Sequence, residues 1–138
     1  MKEVAVMTVS FEFAEADRLL RMTFEGELTD PILLDAWRQA IKIATAFPRC
    51  RNIVDLSRIS LLGISNDVIV TLARTRPVWS DDPLQVFVAP TDAVFGVSRM
   101  FQILSEQTRS NLRVVHTMDE AYKLLGVESP QFVPISTS

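Results

Sequence analysis

The chain has a single cysteine, Cys50, and a single histidine, His116. One thiol excludes an intrachain disulfide framework. One Cys with one His leaves no zinc site of the usual kind. Lysine is scarce as well: Lys2, Lys42 and Lys123 are the only three, so the positive charge is nearly all arginine, dispersed along the chain. No uninterrupted apolar run approaches the ~18 residues of a membrane helix, so no membrane span is expected. The net charge of −3 and the pI of about 5.1 argue against a nucleic-acid partner, since such proteins carry a basic patch or stripe. Met1 to Phe13 joins Lys2 to an apolar stretch, but Glu3 and Glu12 bracket it and no small-residue cleavage site follows. It is not read as a signal peptide. A cytoplasmic location is expected, which suits a free thiol.

What remains is a chain of 138 residues, 48% apolar and 22% charged. That is one domain's worth, and a domain of this size buries roughly 70% of its unfolded surface without a staple. The apolar content and small net charge exclude disorder.

Ala5, Met7, Val9, Phe11 and Phe13 alternate with polar or smaller residues, the period of a strand with one wet face. Ala14 to Asp17 makes a turn, and Leu20, Met22, Phe24 and Gly26 alternate again, which predicts a hairpin. Thr29-Asp30-Pro31 starts a helix, with a capping side chain and Pro31 in the first turn, where its missing N–H costs nothing. Leu33, Ala36, Trp37, Ala40, Ile41, Ala44 and Phe47 form its expected stripe, leaving Ile32, Leu34 and Ile43 outside it. Asn52 to Leu56 reads as a strand buried on both faces, and Leu61 to Ile64 as an inward-packed loop. Ser65 caps a second helix to about Thr75, with Asp67 at its positive end. Gln85 to Ala89 is a further buried strand. Thr91-Asp92 opens a helix to about Gln107. Leu112 to His116 is a last strand. Thr117 and Glu120 make a capping box for a short helix that stops at Gly126. The tail, 127–138, carries Pro130 and Pro134 and is expected to fray.

The order β-β-α-β-α-β-α-β-α predicts a single α/β domain over residues 1–126, with a mixed five-stranded sheet packed with helices. Against that frame, Asn52-Ile53-Val54-Asp55-Leu56-Ser57-Arg58-Ile59-Ser60-Leu61-Leu62-Gly63-Ile64-Ser65 resembles the central signature of STAS domains, the family of anti-sigma-factor antagonists and sulphate-transporter tails. The family pattern is an apolar strand, Asp-Leu-Ser, a hydrophobic pair, then Asp-Ser-Ser-Gly opening a helix. The stretch Val88 to Gly96 with Arg99-Met100-Phe101 is similar to stand-alone bacterial STAS-like proteins of the SpoIIAA-like group, which resemble the CRAL-TRIO lipid-binding fold. The resemblance implies a STAS-like fold and a regulatory, protein-binding role with a partner of anti-sigma type. It also places the phosphorylatable serine on Ser65, with Gly63, Ile64 and Asn66 standing where the family has Asp, Ser and Gly. A phosphate there would sit at a helix N-terminus; the alternative is a plain N-cap serine.

Catalytic chemistry is thinly equipped. A Cys50–His116 dyad needs hydrogen-bond reach, yet parallel strands would set the two on the order of 15–20 Å apart, at opposite edges of the sheet. Cys50 is then a half-buried structural thiol. Asp55, a carboxylate inside an apolar strand, needs partners, which the following amides or Ser57 would supply. Asp55 and Asp92 alone make a poor metal site, and no cofactor is expected. The sequence does carry an apolar surplus. In the helix after Asp92, Val97, Phe101 and Leu104 suit the core, while Phe95, Met100 and Ile103 cover a second face. Such surplus marks partner or ligand surfaces. The leading expectation is a non-catalytic homodimeric module whose interaction surface comprises Leu61, Leu62, Ile64, Phe95, Met100 and Ile103. The alternative is a carrier of an apolar, lipid-like molecule in a groove formed by Trp79, Phe95 and Met100.

Overall fold

The computed structural model describes residues 8–79 and 81–136; Ala5 and Met7 lie outside them. Ten elements follow in chain order: β1 (Thr8–Ala14), β2 (Leu19–Thr29), α1 (Asp30–Ala46), β3 (Arg51–Gly63), α2 (Asn66–Arg74), β4 (Gln85–Val88), α3 (Asp92–Leu104), β5 (Leu112–Val115), α4 (Met118–Leu125) and β6 (Val133–Ile135). The strands form one mixed sheet in the order β5-β4-β3-β2-β1-β6. β2, β3, β4 and β5 pair in parallel, and β1 is antiparallel to both β2 and β6. The α/β class, the element order and the antiparallel hairpin beside a parallel set agree with the sequence pattern.

The strand count does not. Val133–Ile135 pairs with Phe11–Phe13 as a sixth strand, so the expected frayed tail is part of the sheet. Phe132 and the buried Val127 join the core ahead of it, and the Arg21 guanidinium lies 4.0 Å from the Phe132 ring centroid. Arg21 in turn is held by Glu12 at 2.7 Å, its cross-strand partner on β1. Pro134 thus sits in an edge strand, where a missing N–H is tolerated.

β3 is also longer than its apolar run suggests. Residues 57–63 stay extended and pair with β2 up to Thr29↔Gly63, which turns the expected Leu61–Ile64 loop into strand as far as Gly63. The ladder shifts register twice. Between Thr23↔Asp55 and Glu25↔Arg58 β3 advances one residue more than β2, and again between Gly26↔Ile59 and Glu27↔Leu61. At the first bulge the Asp55 carboxylate accepts the Ser57 N–H at 3.0 Å and the Ser57 hydroxyl at 2.6 Å. The extra residue takes its backbone out of the ladder, and the buried carboxylate supplies the missing acceptor. At the second bulge Gly26 has φ 106°, a conformation open chiefly to glycine.

Side-chain alternation assigns the two faces. Ile53, Val86, Val88 and Val115 pack under α4 with Leu19, Ala121 and Leu125. Leu20, Phe24, Val54 and Leu112 face the layer made by α1, α2 and α3. In α1 the buried positions are Ala36, Ala40, Ile43 and Ala44, while Ile41 is 49% exposed. The stripe is therefore rotated from the expected one. Counted from Ala36 at about 100° per residue, Ile43 falls roughly 20° away, at the edge of the buried stripe, and Ile41 roughly 140° away, well off it.

Caps follow their local signals. The Ser65 hydroxyl accepts the Val68 N–H at 3.2 Å, Thr91 accepts from Val94 at 3.4 Å, and Thr117 accepts the Glu120 N–H while donating to its carboxylate. Gly126 closes α4 in the left-handed region at φ 67°. Thr29 occupies the N-cap of α1 without a side-chain bond, and Asp30 instead accepts the Ser65 N–H at 2.8 Å.

Candidate functional site

β3 sends Asn52, Val54 and Leu56 toward the α1–α3 layer, the first of them polar. Asn52 is 3% exposed, and neither its amide nitrogen nor its oxygen has a hydrogen-bond partner among the described residues. A buried, unpaired amide costs about 1–3 kcal/mol relative to a satisfied one, so its place in the sheet is expensive. It borders a cavity of about 100 Å³, walled by β2 to β4, by α1 residues including Ala36 and Trp37, and by the α2–β4 connection, which contributes Pro77, Val78 and Trp79. Both tryptophans of the chain line this space.

Arg109 borders the same cavity and is 7% exposed. It lies on the turn between α3 and β5. Its Nη1 donates to the Ala73 carbonyl at 3.2 Å and to Thr108 at 3.0 Å, and Thr108 itself bonds Ala73 at 2.9 Å. A cation there meets the negative end of α2. The guanidinium carbon lies 5.0 Å from the Phe101 ring centroid and 5.5 Å from that of Trp37. Nη2 has no partner, and no carboxylate stands within ion-pair distance among the described residues. Burial pulls the Arg109 pKa down, opposed by the charge of Asp82; a guanidinium stays protonated through such a shift. Asp82 also lines the cavity, but its carboxylate is engaged by the Ser110 N–H at 3.1 Å and by the Ser110 hydroxyl.

A second cavity, also about 100 Å³, adjoins the first. The two share Phe24, Leu33, Trp37, Val54, Phe87 and Phe101 as wall. Its remaining lining is almost wholly apolar, from the far half of β3 (Leu56, Ile59, Leu62), Ile64 and α2 and α3. The pair presents one polar end and one greasy end.

The residues expected from sequence are distributed differently. Trp79 is 8% exposed, donates its indole N–H to the Phe47 carbonyl at 3.2 Å and lines the first cavity. Phe95 stacks on His116, centroids 4.1 Å apart and planes within 3°. Met100 packs against the cluster of Ile69, Leu72 and Phe101. Neither Phe95 nor Met100 lines either of these two cavities, whereas Trp79 lines the first. Trp79 sits toward the start of β3, and Phe95 beyond the end of β5. Of the expected interaction surface, Leu61 and Ile103 are exposed at 57% and 55%. Leu62 and Ile64 are half-buried against the second cavity. Leu104, expected in the core, is 36% exposed.

Cys50 precedes β3 and His116 follows β5, at opposite ends of parallel strands. Cys50 is fully rather than half buried, with Arg18 3.5 Å from its sulphur. Burial raises the thiol's pKa, and Arg18 opposes the rise. Asp92 is exposed in the first turn of α3, apart from the Asp55–Ser57 pair. No group of three or more His, Cys, Asp or Glu among the described residues is placed to hold a metal ion. No described helix is long and apolar enough to cross a membrane.

Sequence reasoning missed Asn52 and Arg109. Asn52 carried a readable signal, a polar residue on the same strand face as Val54 and Leu56. Arg109 carried none, because its burial depends on three helices meeting around a turn. Comparison with protein-family models and with curated proteins finds no match for this chain.

Proposed function

We propose that the protein is a non-catalytic small-molecule-binding module, a carrier or sensor that holds an amphipathic ligand between its sheet and the α1–α3 layer. The paired cavities carry this reading. Protein cores pack like organic crystals, with few voids larger than a water. A water-sized site takes on the order of 10–15 Å³, so each cavity corresponds to roughly seven to ten such positions. An apolar lining with a few convergent polar groups is the usual character of a ligand site. The reading takes a reducing, cytoplasmic compartment as its setting, in keeping with the free thiol.

The test is binding of a neutral environment-sensitive dye, phenylnaphthylamine, with decanol as competitor. Saturable fluorescence enhancement that decanol reverses is expected. A dye that stays dark at all protein concentrations contradicts the proposal.

A second reading has its own support in Leu61 and Ile103, two large apolar side chains left in the open. Together with the STAS-like signature around Asp55 and Ser65, they favour a regulatory module that docks a protein of anti-sigma type or a second copy of itself. Sedimentation of the wild type and of Leu61→Glu tests it. A dimer lost in the variant is expected, and a monomer in both contradicts self-association.

A further inference from the structure

We infer that the first cavity selects the head of its ligand, and that the head is a carboxylate: the site takes a medium-chain or aryl-substituted carboxylic acid, gripped by Arg109 and Asn52 with its apolar body against Trp37 and Trp79. The inference rests on the small-molecule reading above and names the ligand class for that same site.

Two buried donors with nothing to donate to are the starting point. The free Nη2 of Arg109 and the Asn52 amide nitrogen border one space. A buried cation without a counter-charge is costly, and the usual remedy is an ion pair with additional hydrogen bonds. No carboxylate among the described residues forms an ion pair with Arg109; Asp82 acts on it only through space. Asp82, the cavity's own acid, is occupied by Ser110.

An incoming carboxylate offers acceptor oxygens to the two donors, which border the same space. Charge-assisted bonds of this kind are stronger than neutral ones, and the low-dielectric surroundings strengthen them further. The remaining lining sets the rest of the ligand. Trp37, Trp79, Phe87 and Phe101 offer ring faces, and the adjoining cavity continues as apolar wall. A phosphate or sulphate head suits this site less well, because its three terminal oxygens would ask for more donors than Arg109 and Asn52 supply.

Arg109 also braces Ala73, so its loss has a structural effect as well. The test therefore compares two ligands of equal chain length, decanoate and decanol, at neutral pH by calorimetry. Wild type is expected to bind decanoate at least about tenfold more tightly than decanol. Asn52→Leu and Arg109→Gln are each expected to erase that preference while decanol affinity stays within about threefold. If Arg109→Gln fails to fold, Asn52→Leu and the wild-type ratio still decide. Decanol binding as tightly as decanoate in wild type overturns the head-group assignment and leaves the cavity reading standing. Phenylnaphthylamine, decanol and decanoate all failing to bind overturns both.

Discussion

Asn52 on β3 and Arg109 on the turn before β5 border one cavity, and each keeps a buried polar atom without a partner among the described residues. Neither arrangement favours the folded chain by itself. An unsatisfied amide replaced by an apolar group of similar shape is neutral or stabilising. Asn52→Leu is therefore expected to raise the unfolding free energy by about 1 kcal/mol or more, read by urea denaturation without ligand. Lower stability would show that the amide is satisfied in solution and is not held open for a ligand.

Filling the cavity separates space from surface chemistry. Ala36 is 1% exposed and forms part of its α1 wall. Ala36→Leu adds three carbons where there is room, at roughly 0.8 kcal/mol per buried methylene offset by any overpacking. Stability is expected to hold or rise, and dye affinity to fall at least about tenfold. Unchanged affinity in a folded variant would place the dye elsewhere.

The thiol gives a pH prediction. Cys50 is buried, and its folded pKa lies above the ordinary value of 9.0. The unfolded chain thus releases its proton at lower pH than the folded chain. The stabilisation tied to the protonated thiol is complete below about pH 9 and is lost as pH rises through the folded pKa. Wild-type stability is expected to fall more steeply above that pH than that of Cys50→Ala. Alkylation by iodoacetamide should be slow until the protein unfolds. Equal slopes, or rapid alkylation of folded protein, would contradict this placement.

Much of the fold was legible in short-range chemistry. Pro31 after Thr29-Asp30 marks α1, Thr117 with Glu120 marks α4, and both features act within a turn of their own position. What required the third dimension was less visible. The extension of β3 through Leu61–Gly63 depends on β2 as a pairing partner, and its bulge depends on Asp55 serving Ser57. Residues 133–135 become a strand only because β1 offers an edge. Of the candidate site, Trp79 was legible as a cavity residue. Phe95 and Met100 lie outside both cavities; helical spacing alone does not say which side of α3 meets α2 or His116.

The sixth strand is open to direct test. Removal of residues 128–138 takes away Phe132, which packs on Arg21, and the β6 ladder. Val127, whose N–H donates to Tyr122 at 3.1 Å, stays in place. A loss of about 1–3 kcal/mol is expected from the burial forfeited. Truncated protein with the denaturation midpoint of the full chain would restore the frayed tail.

Ser65 bears on the STAS-like reading. Ser65→Ala removes the cap on Val68 and is expected to cost about 1 kcal/mol. Ser65→Asp keeps a capping oxygen but brings a second carboxylate beside Asp30, which accepts the Ser65 N–H at 2.8 Å. Its deficit should shrink as salt is added, because screening weakens like-charge repulsion, whereas that of Ser65→Ala should not. Salt-independent stability of Ser65→Asp would mean that Asp30 does not oppose a negative group, a phosphate included, at this position.

The most direct measurement uses the chain's own reporters. Trp37 and Trp79 are its only tryptophans, and both border the first cavity. Bromodecanol, whose bromine quenches indole emission at close range, should quench in a saturable manner that unbrominated decanol reverses. Emission that declines only in proportion to bromodecanol concentration, with no saturation and no reversal, would contradict a ligand site between the sheet and α1.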